Sequence, residues 1–95
     1  MNLELFANDR YEVLKILSEN QITIKEESYV PLSQQEIADL VHFSKLKTNK
    51  IMNELKDYGC VVPFQGKKGK YALTEIGLKV VYAIKNIRIG NTNTI

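Results

Sequence analysis

The sequence has very few of the residues that build disulfides, metal centres or redox sites. It holds one cysteine and one histidine in 95 residues. Cys60 cannot form a disulfide within the chain, and His42 has no second histidine with which to share a metal ion. These shortages predict no metal and no cofactor. We interpret His42 as a turn residue and Cys60 as a core residue at the start of a strand, with a redox-sensing thiol as the alternative for Cys60.

Long apolar runs and catalytic motifs are also missing. No apolar run approaches the ~18 residues that a membrane span needs, and the N-terminus carries an acid where a signal peptide carries positive charge. Residues 66–69 (GKKG) lack the length and the ending of a phosphate-binding loop, and no nucleophile–base pair is evident. The sequence therefore predicts a cytoplasmic protein that is not an enzyme, folded as one domain over residues 1–95, with a frayed tail at 90–95.

Charge is distributed unevenly along the chain. Residues 1–43 hold three basic and eight acidic residues, a net charge of −5, whereas residues 44–73 hold seven lysines and two acidic residues, a net charge of +5. Such a separation is typical of a protein that turns one surface toward a polyphosphate. A chance imbalance among solvated faces is the alternative. The frequent Lys, Asn and Ile suggest an AT-rich bacterial, phage or plasmid genome.

Helical spacing and capping residues predict four helices, at about 9–20, 33–41, 44–58 and from Thr74 onward. Ser33 and Glu36 form a capping-box pattern, Ser44 can cap the third helix, and Gly59 can end it. Residues 21–31 are interpreted as a loop with one short strand. Residues 60–62 and 70–73 are predicted to be the two strands of a hairpin with its turn at 65–69.

Two short helices joined by a tight turn are typical of a helix-turn-helix, whose second helix enters the DNA major groove. Apolar residues and Thr48 share one side of the helix at 44–58, so its polar residues project toward solvent. Asparagine can pair with adenine, and lysine can donate to guanine or contact phosphate. The predicted contacts from this helix are Ser44, Lys45, Lys47, Asn49, Lys50 and Asn53. An ordinary solvated helix face is the alternative.

The hairpin that follows is also basic. Lys67, Lys68 and Lys70 surround two glycines that permit a tight loop, and these lysines are predicted to contact the DNA backbone. A solubilising loop tip is the alternative.

Three segments together resemble a known family. SQQEIADL at 33–40, KIMNELKDYGCV at 50–61 and GKYALTEIG at 69–77 are similar to bacterial winged-helix regulators of the MarR-like and PadR-like superfamily. The resemblance covers residues 9–85. It implies an α+β, mostly α, winged helix-turn-helix fold with a three-helix core, a β-hairpin wing and a C-terminal helix. It also implies that the helix at 44–58 reads DNA while the hairpin at 61–73 contacts its backbone.

The resulting hypothesis is a double-stranded DNA-binding transcriptional regulator that we expect to act as a repressor. The alternative is a winged-helix protein-interaction module, either an antirepressor or a subunit of a replication or transcription complex. The sequence identifies no small-molecule effector. A homodimer is also predicted, because the terminal segments carry more apolar residues than one side of a small core needs. The expected interface residues are Leu3, Leu5, Phe6, Val80, Ile84 and Ile87. Use of both terminal helices to close the protein's own core is the alternative.

Overall fold

The computed structural model describes residues 8–66 and 69–93, and within them it contains four α-helices and two short antiparallel hairpins. In chain order these are α1 (Asp9–Glu19), β1 (Ile22–Ile24), β2 (Glu27–Tyr29), α2 (Gln34–Val41), α3 (Lys45–Asp57), β3 (Val61–Pro63), β4 (Tyr71–Leu73) and α4 (Glu75–Asn93). None of the described helices is long and apolar enough to cross a lipid bilayer.

Side-chain caps determine where the helices begin. The Asn8 side chain accepts a hydrogen bond from the first turn of α1. The predicted capping box of α2 is confirmed, because the Glu36 amide donates to Ser33 Oγ while the Ser33 amide donates to the Glu36 carboxylate, each at 3.1 Å. Ser44 caps α3 by accepting a hydrogen bond from the Lys47 amide at 3.0 Å. These bonds satisfy amides that have no partner inside their helices.

The turn between α2 and α3 is short and strongly bent. His42 ends α2 in the left-handed region, with φ of 61°, and its role as a turn residue is confirmed. The Phe43 amide donates to the Ala38 carbonyl at 3.1 Å, which satisfies an acceptor at the end of α2. Ser44 then starts α3 at once. The tight turn packs α3 against both α1 and α2.

The core lies between the helices and the base of the β3–β4 hairpin. The buried residues of α3 are Thr48, Ile51, Met52 and Leu55, and those of α1 are Tyr11, Val13, Leu14 and Leu17. The core residues are Tyr11, Val13, Leu14, Leu17, Val30, Ile37, Ile51, Met52, Leu55, Cys60, Val61, Tyr71, Val80, Val81 and Ile84. Two apolar residues of the helices are exposed, Leu40 of α2 at 45% and Ile76 of α4 at 42%. Each lies at the margin of its helix's apolar stripe.

A close backbone approach fixes α4 against β3. A Cβ atom at Gly77 would collide with the carbonyl oxygen of Cys60, so only glycine fits this position. Thr74 secures the start of the helix: its hydroxyl donates to the Gly59 carbonyl at 2.6 Å and accepts from the Gly77 amide at 3.0 Å. The helix then runs to Asn93, beyond Gly90, where the sequence predicts that a frayed tail begins.

The segment at 21–31 differs from its prediction, because it forms a complete hairpin rather than one strand. Ile22 pairs with Tyr29 and Ile24 with Glu27 in the antiparallel register of β1 and β2. Its tip is formed by Lys25 and Glu26, both with positive φ. Neither residue is the glycine or asparagine that normally marks such a turn, so the sequence gives no signal for the second strand.

The β3–β4 hairpin is one residue displaced from its predicted start. Val61 pairs with Leu73 and Pro63 with Tyr71, and a short 3₁₀ turn at Phe64–Gly66 follows β3. The Val30 amide donates to the Tyr71 carbonyl at 2.7 Å. This bond places the β1–β2 hairpin beside the β3–β4 hairpin.

Candidate nucleic-acid interface

The outward face of α3 carries most of the polar residues predicted to contact DNA. Every predicted position on this helix is exposed, as is its cap: Ser44, Lys45, Lys47, Asn49, Lys50 and Asn53. Opposite this face, Thr48 and three apolar residues are buried in the core. The amphipathic pattern of α3 therefore determines which side chains are available to a ligand.

Positive charge is concentrated in the N-terminal half of α3. Lys45, Lys47 and Lys50 lie in this half without an acidic residue among them, whereas both acidic residues of the helix, Glu54 and Asp57, lie in the C-terminal half. Glu54 accepts a hydrogen bond from the Arg10 guanidinium at 2.8 Å, an interaction that is the main cause of a raised pKa at Arg10. The partial positive charge of a helix N-terminus adds to that of the lysines. The N-terminal half is thus the end of α3 suited to an anion.

Lys47 is engaged within the protein. Its ammonium group lies 2.6 Å from the Asp9 carboxylate and 4.1 Å from the centre of the Phe43 ring. Both partners of the ion pair are about half exposed, with side-chain exposures of 45% for Lys47 and 53% for Asp9. Asp9 therefore competes with any external anion for Lys47.

A chain of hydrogen bonds, which we call the amide relay, connects α3 to α2 and β4. Asn53 Nδ2 donates to Asn49 Oδ1 at 3.2 Å, and Asn49 Nδ2 donates to Gln34 Oε1 at 2.9 Å. Gln34 Nε2 donates in turn to Tyr71 Oη at 3.0 Å. Asn49, which is predicted to contact DNA, thus uses both atoms of its amide group inside the protein. Asn53 ends the relay on the exposed side.

A groove separates α3 from the β3–β4 hairpin. Gln34, Asn49, Asn53, Lys56, Pro63, Gly66 and Tyr71 line it. The Lys56 ammonium lies 5.3 Å from the centre of the Tyr71 ring, which places a further positive charge in this groove. The groove therefore adjoins the basic half of α3 and is bounded by the amide relay.

The hairpin itself is braced by the β1–β2 hairpin. The rings of Tyr29 and Phe64 stack with centroids 4.6 Å apart, and Gln65 Nε2 donates to the Glu27 carboxylate at 2.9 Å. Lys70 is exposed, with its ammonium 5.4 Å from the centre of the Tyr29 ring. The other two predicted wing contacts, Lys67 and Lys68, lie outside the described residues.

The structure changes the expected dimer surface. Val80 and Ile84 are only 1% and 3% exposed, because they pack into the protein's own core. They are therefore not available to a partner in this conformation, and the expectation that they lie on an interface is wrong. Ile87 is 50% exposed. Leu3, Leu5 and Phe6 lie outside the described residues.

The single cysteine and the single histidine are the remaining candidates for redox or metal chemistry. Burial raises the pKa of the Cys60 thiol, which disfavours the reactive thiolate. Within the described part of the chain, no group of three or more His, Cys, Asp or Glu residues is placed to hold a metal ion.

Three residues at this interface were missed by sequence reasoning. Gln34 and Tyr71 join the amide relay from positions 37 residues apart, and no local pattern connects them. Leu46 is 83% exposed in the first turn of α3. Its position opposite the buried stripe could have been found from helical periodicity alone.

No protein-family model matches the chain, and no curated protein matches its sequence. Solved structures do resemble it. The S. aureus MepR–DNA complex gives a TM-score of 0.71 at 22% identity, covering 97% of this chain and 73% of MepR. The reduced Fe(II) CO-sensing protein from R. rubrum gives 0.67 at 20% identity, over 84% of this chain and 39% of that one. A CRP-family transcriptional regulator from Thermus thermophilus gives a TM-score of 0.60 at 16% identity, over 88% of this chain and 43% of that one.

These likenesses confirm the predicted fold. The chain is a winged helix-turn-helix, α+β and mostly α, in which α2 and α3 form the helix-turn-helix and β3–β4 forms the wing. Its length corresponds to most of MepR but to less than half of the other two proteins.

Proposed function

We propose that this protein binds double-stranded DNA and regulates transcription, with α3 in the major groove and the wing on the backbone. One observation carries the proposal. The N-terminal half of α3 concentrates three exposed lysines and Asn49, and the acidic residues of the helix lie in its other half. Recognition helices contact base edges with their N-terminal residues, which is the half of α3 that suits an anionic duplex.

The amide relay refines the roles of individual residues. We assign base contacts to Lys45, Lys50 and Asn53, which are exposed on the outward face. Asn49 holds the Asn53 amide in place, since its own amide is paired on both sides. Lys67, Lys68 and Lys70 of the wing, together with Ser44 at the start of α3, are assigned to phosphates, which position a protein without reading sequence.

Shared fold supports a regulatory role. One neighbour was solved as a complex with DNA, and MepR is described as a transcription regulator of a multidrug efflux pump. By analogy we propose a repressor in the cytoplasm of a bacterium, whether encoded by its chromosome, a phage or a plasmid, and associated with the nucleoid. We propose a binding protein, not an enzyme.

A homodimer would present two copies of α3 to two half-sites about one helical turn apart. We place its interface on α4 around Ile87, which is 50% exposed. Leu3, Leu5 and Phe6 are proposed to complete it. Sedimentation at micromolar concentration tests this proposal, and a species that stays at 10.9 kDa at every concentration would exclude the dimer. Dissociation of the dimer by Ile87→Asp, in a protein that stays folded, would locate the interface.

DNA binding is tested by fluorescence anisotropy with a labelled duplex of mixed sequence over a series of salt concentrations. For the three wing lysines assigned to phosphates, we expect log K to fall with log salt at a slope of about −0.9 per contact. Lys70→Gln, which removes an exposed wing lysine assigned to phosphate, should lower affinity and flatten the slope. Lys85→Gln, which removes the same charge from the exposed surface of α4, is the matched control. Affinity that is the same at low and physiological salt would favour the alternative, a protein-interaction module that does not use its lysines.

A further inference from the structure

We infer that Leu46 is a specificity-determining residue that packs against thymine methyl groups in the major groove. The inference rests on the proposed DNA binding and adds to it a preference for one base. Leu46 is 83% exposed, more than any other large hydrophobic side chain in the described part of the chain. An apolar group of a ligand that covered Leu46 would bind favourably, because removing apolar surface from water lowers the free energy.

Helical geometry places Leu46 at the centre of the reading face. Successive residues of an α-helix are turned by about 100°, so Leu46 lies almost directly opposite the buried stripe, whose members are Thr48, Ile51, Met52 and Leu55. Leu46, Lys50 and Asn53 follow the i, i+4, i+7 spacing and share one side of the helix. A duplex that contacts Lys50 and Asn53 is therefore in contact with Leu46 as well.

The side chains around Leu46 indicate which kind of base contact each of them can make. Lys45, Leu46 and Asn49 together line a shallow depression on the first two turns of α3. The lysine and the asparagine can meet phosphates or polar base edges, but the leucine side chain has no hydrogen-bonding group. In the major groove the C5 methyl group of thymine is the apolar group that distinguishes one base from the others. Leu46 is thus matched to thymine by chemistry and by its place on the helix.

The test compares thymine with uracil, which lacks only this methyl group. A randomised duplex library is selected with the wild-type protein, and the enriched duplex is amplified once with thymidine and once with deoxyuridine triphosphate. We expect the wild-type protein to bind the thymine form more tightly, by about three- to fourfold for each methyl group buried against Leu46. Replacing the thymines one at a time locates the contacted base.

The variant Leu46→Ala removes the contact without disturbing the core, because its side chain is almost wholly exposed and alanine favours the helix. We expect its thymine-to-uracil affinity ratio to fall toward one. Ile24→Ala, on the 52% exposed Ile24 of β1, is the matched control and should keep the wild-type ratio.

Four results would overturn the inference, and they separate it from the proposed function. Tight binding with no preference for thymine would refute the methyl contact while leaving DNA binding intact. A preference that Leu46→Ala retains in full would assign the contact to another residue. Absence of binding to any library member at low salt would refute the DNA-binding function itself, and the inference with it. A Leu46→Ala protein that binds DNA normally but loses association with a protein would identify Leu46 as a protein contact.

Discussion

Removing the Asp9 carboxylate should strengthen DNA binding, because it releases Lys47. In the free protein the Lys47 ammonium lies 2.6 Å from Asp9, at the edge of the basic half of α3. The pair is about half exposed, so its loss should change the free energy of unfolding by no more than about 1 kcal/mol. Asp9→Asn keeps the shape of the side chain while removing its charge.

The size of the effect follows from counterion release. A freed lysine that neutralises one more phosphate steepens the slope of log K against log salt by about 0.9. The advantage of Asp9→Asn over the wild-type protein should therefore shrink by about threefold between 50 and 200 mM salt, by the same relation. Fluorescence anisotropy with the mixed-sequence duplex measures both slopes.

A matched control separates release of Lys47 from a simple change of net charge. Glu19 is exposed at the opposite end of α1, ~15 Å from Asp9 at 1.5 Å per residue. That separation exceeds the Debye length of about 8 Å at physiological salt, so Glu19→Gln should leave affinity nearly unchanged. Equal gains from the two variants would show that net charge alone is responsible. An unchanged slope in Asp9→Asn would show that Lys47 does not turn to DNA.

Four further outcomes are expected. The buried Thr48 hydroxyl has no hydrogen-bond partner among the described residues. Thr48→Val should therefore raise the free energy of unfolding, measured by urea titration, by about 1 kcal/mol. A free energy of unfolding below that of the wild-type protein would show that the hydroxyl has a hydrogen-bond partner. Gly77→Ala should lower the free energy of unfolding by about 1–3 kcal/mol despite the helix preference of alanine, because the added Cβ collides with the Cys60 carbonyl. An unchanged free energy of unfolding would contradict that close approach. Gln34→Leu interrupts the amide relay and should reduce discrimination between selected and random duplexes, and retained discrimination would show that the relay does not position Asn53. Burial raises the pKa of the Cys60 thiol, so this thiol should react with a thiol reagent much more slowly in the native protein than in urea. The free energy of unfolding should fall as pH rises above about 8.5, because the thiol of the unfolded chain then ionises before that of the folded protein.

Local signals were sufficient to predict the helices. Ser33 with Glu36, and Ser44 alone, identify helix starts because each cap is made between residues three apart. The β1–β2 hairpin escaped prediction because its turn uses left-handed Lys25 and Glu26 rather than glycine. The amphipathic pattern of α4 predicts an apolar face, but it does not predict whether that face packs against the same chain or against a second copy.

The interface was less predictable than the fold because its organising contacts join distant residues. Lys47 was correctly placed on the exposed side of α3, yet its ion pair with Asp9 joins residues 38 positions apart. The residue type of Asn49 predicts a DNA contact, whereas its amide is occupied by Gln34 and Asn53. Periodicity predicts which side chains are exposed, but the hydrogen bonds that those side chains make depend on the tertiary structure.

Tyr71 connects α3 to the wing and thereby makes them one unit. It is only 5% exposed, its backbone pairs with Pro63 and accepts the Val30 amide, and its hydroxyl ends the amide relay that begins on α3. A residue fixed by three elements cannot move with the wing alone. The distance between α3 and the base of the wing is therefore set in the free protein, which in the proposed complex would lower the entropic cost of binding. In the proposed complex, the fit of α3 to the major groove then determines which phosphates the wing can reach.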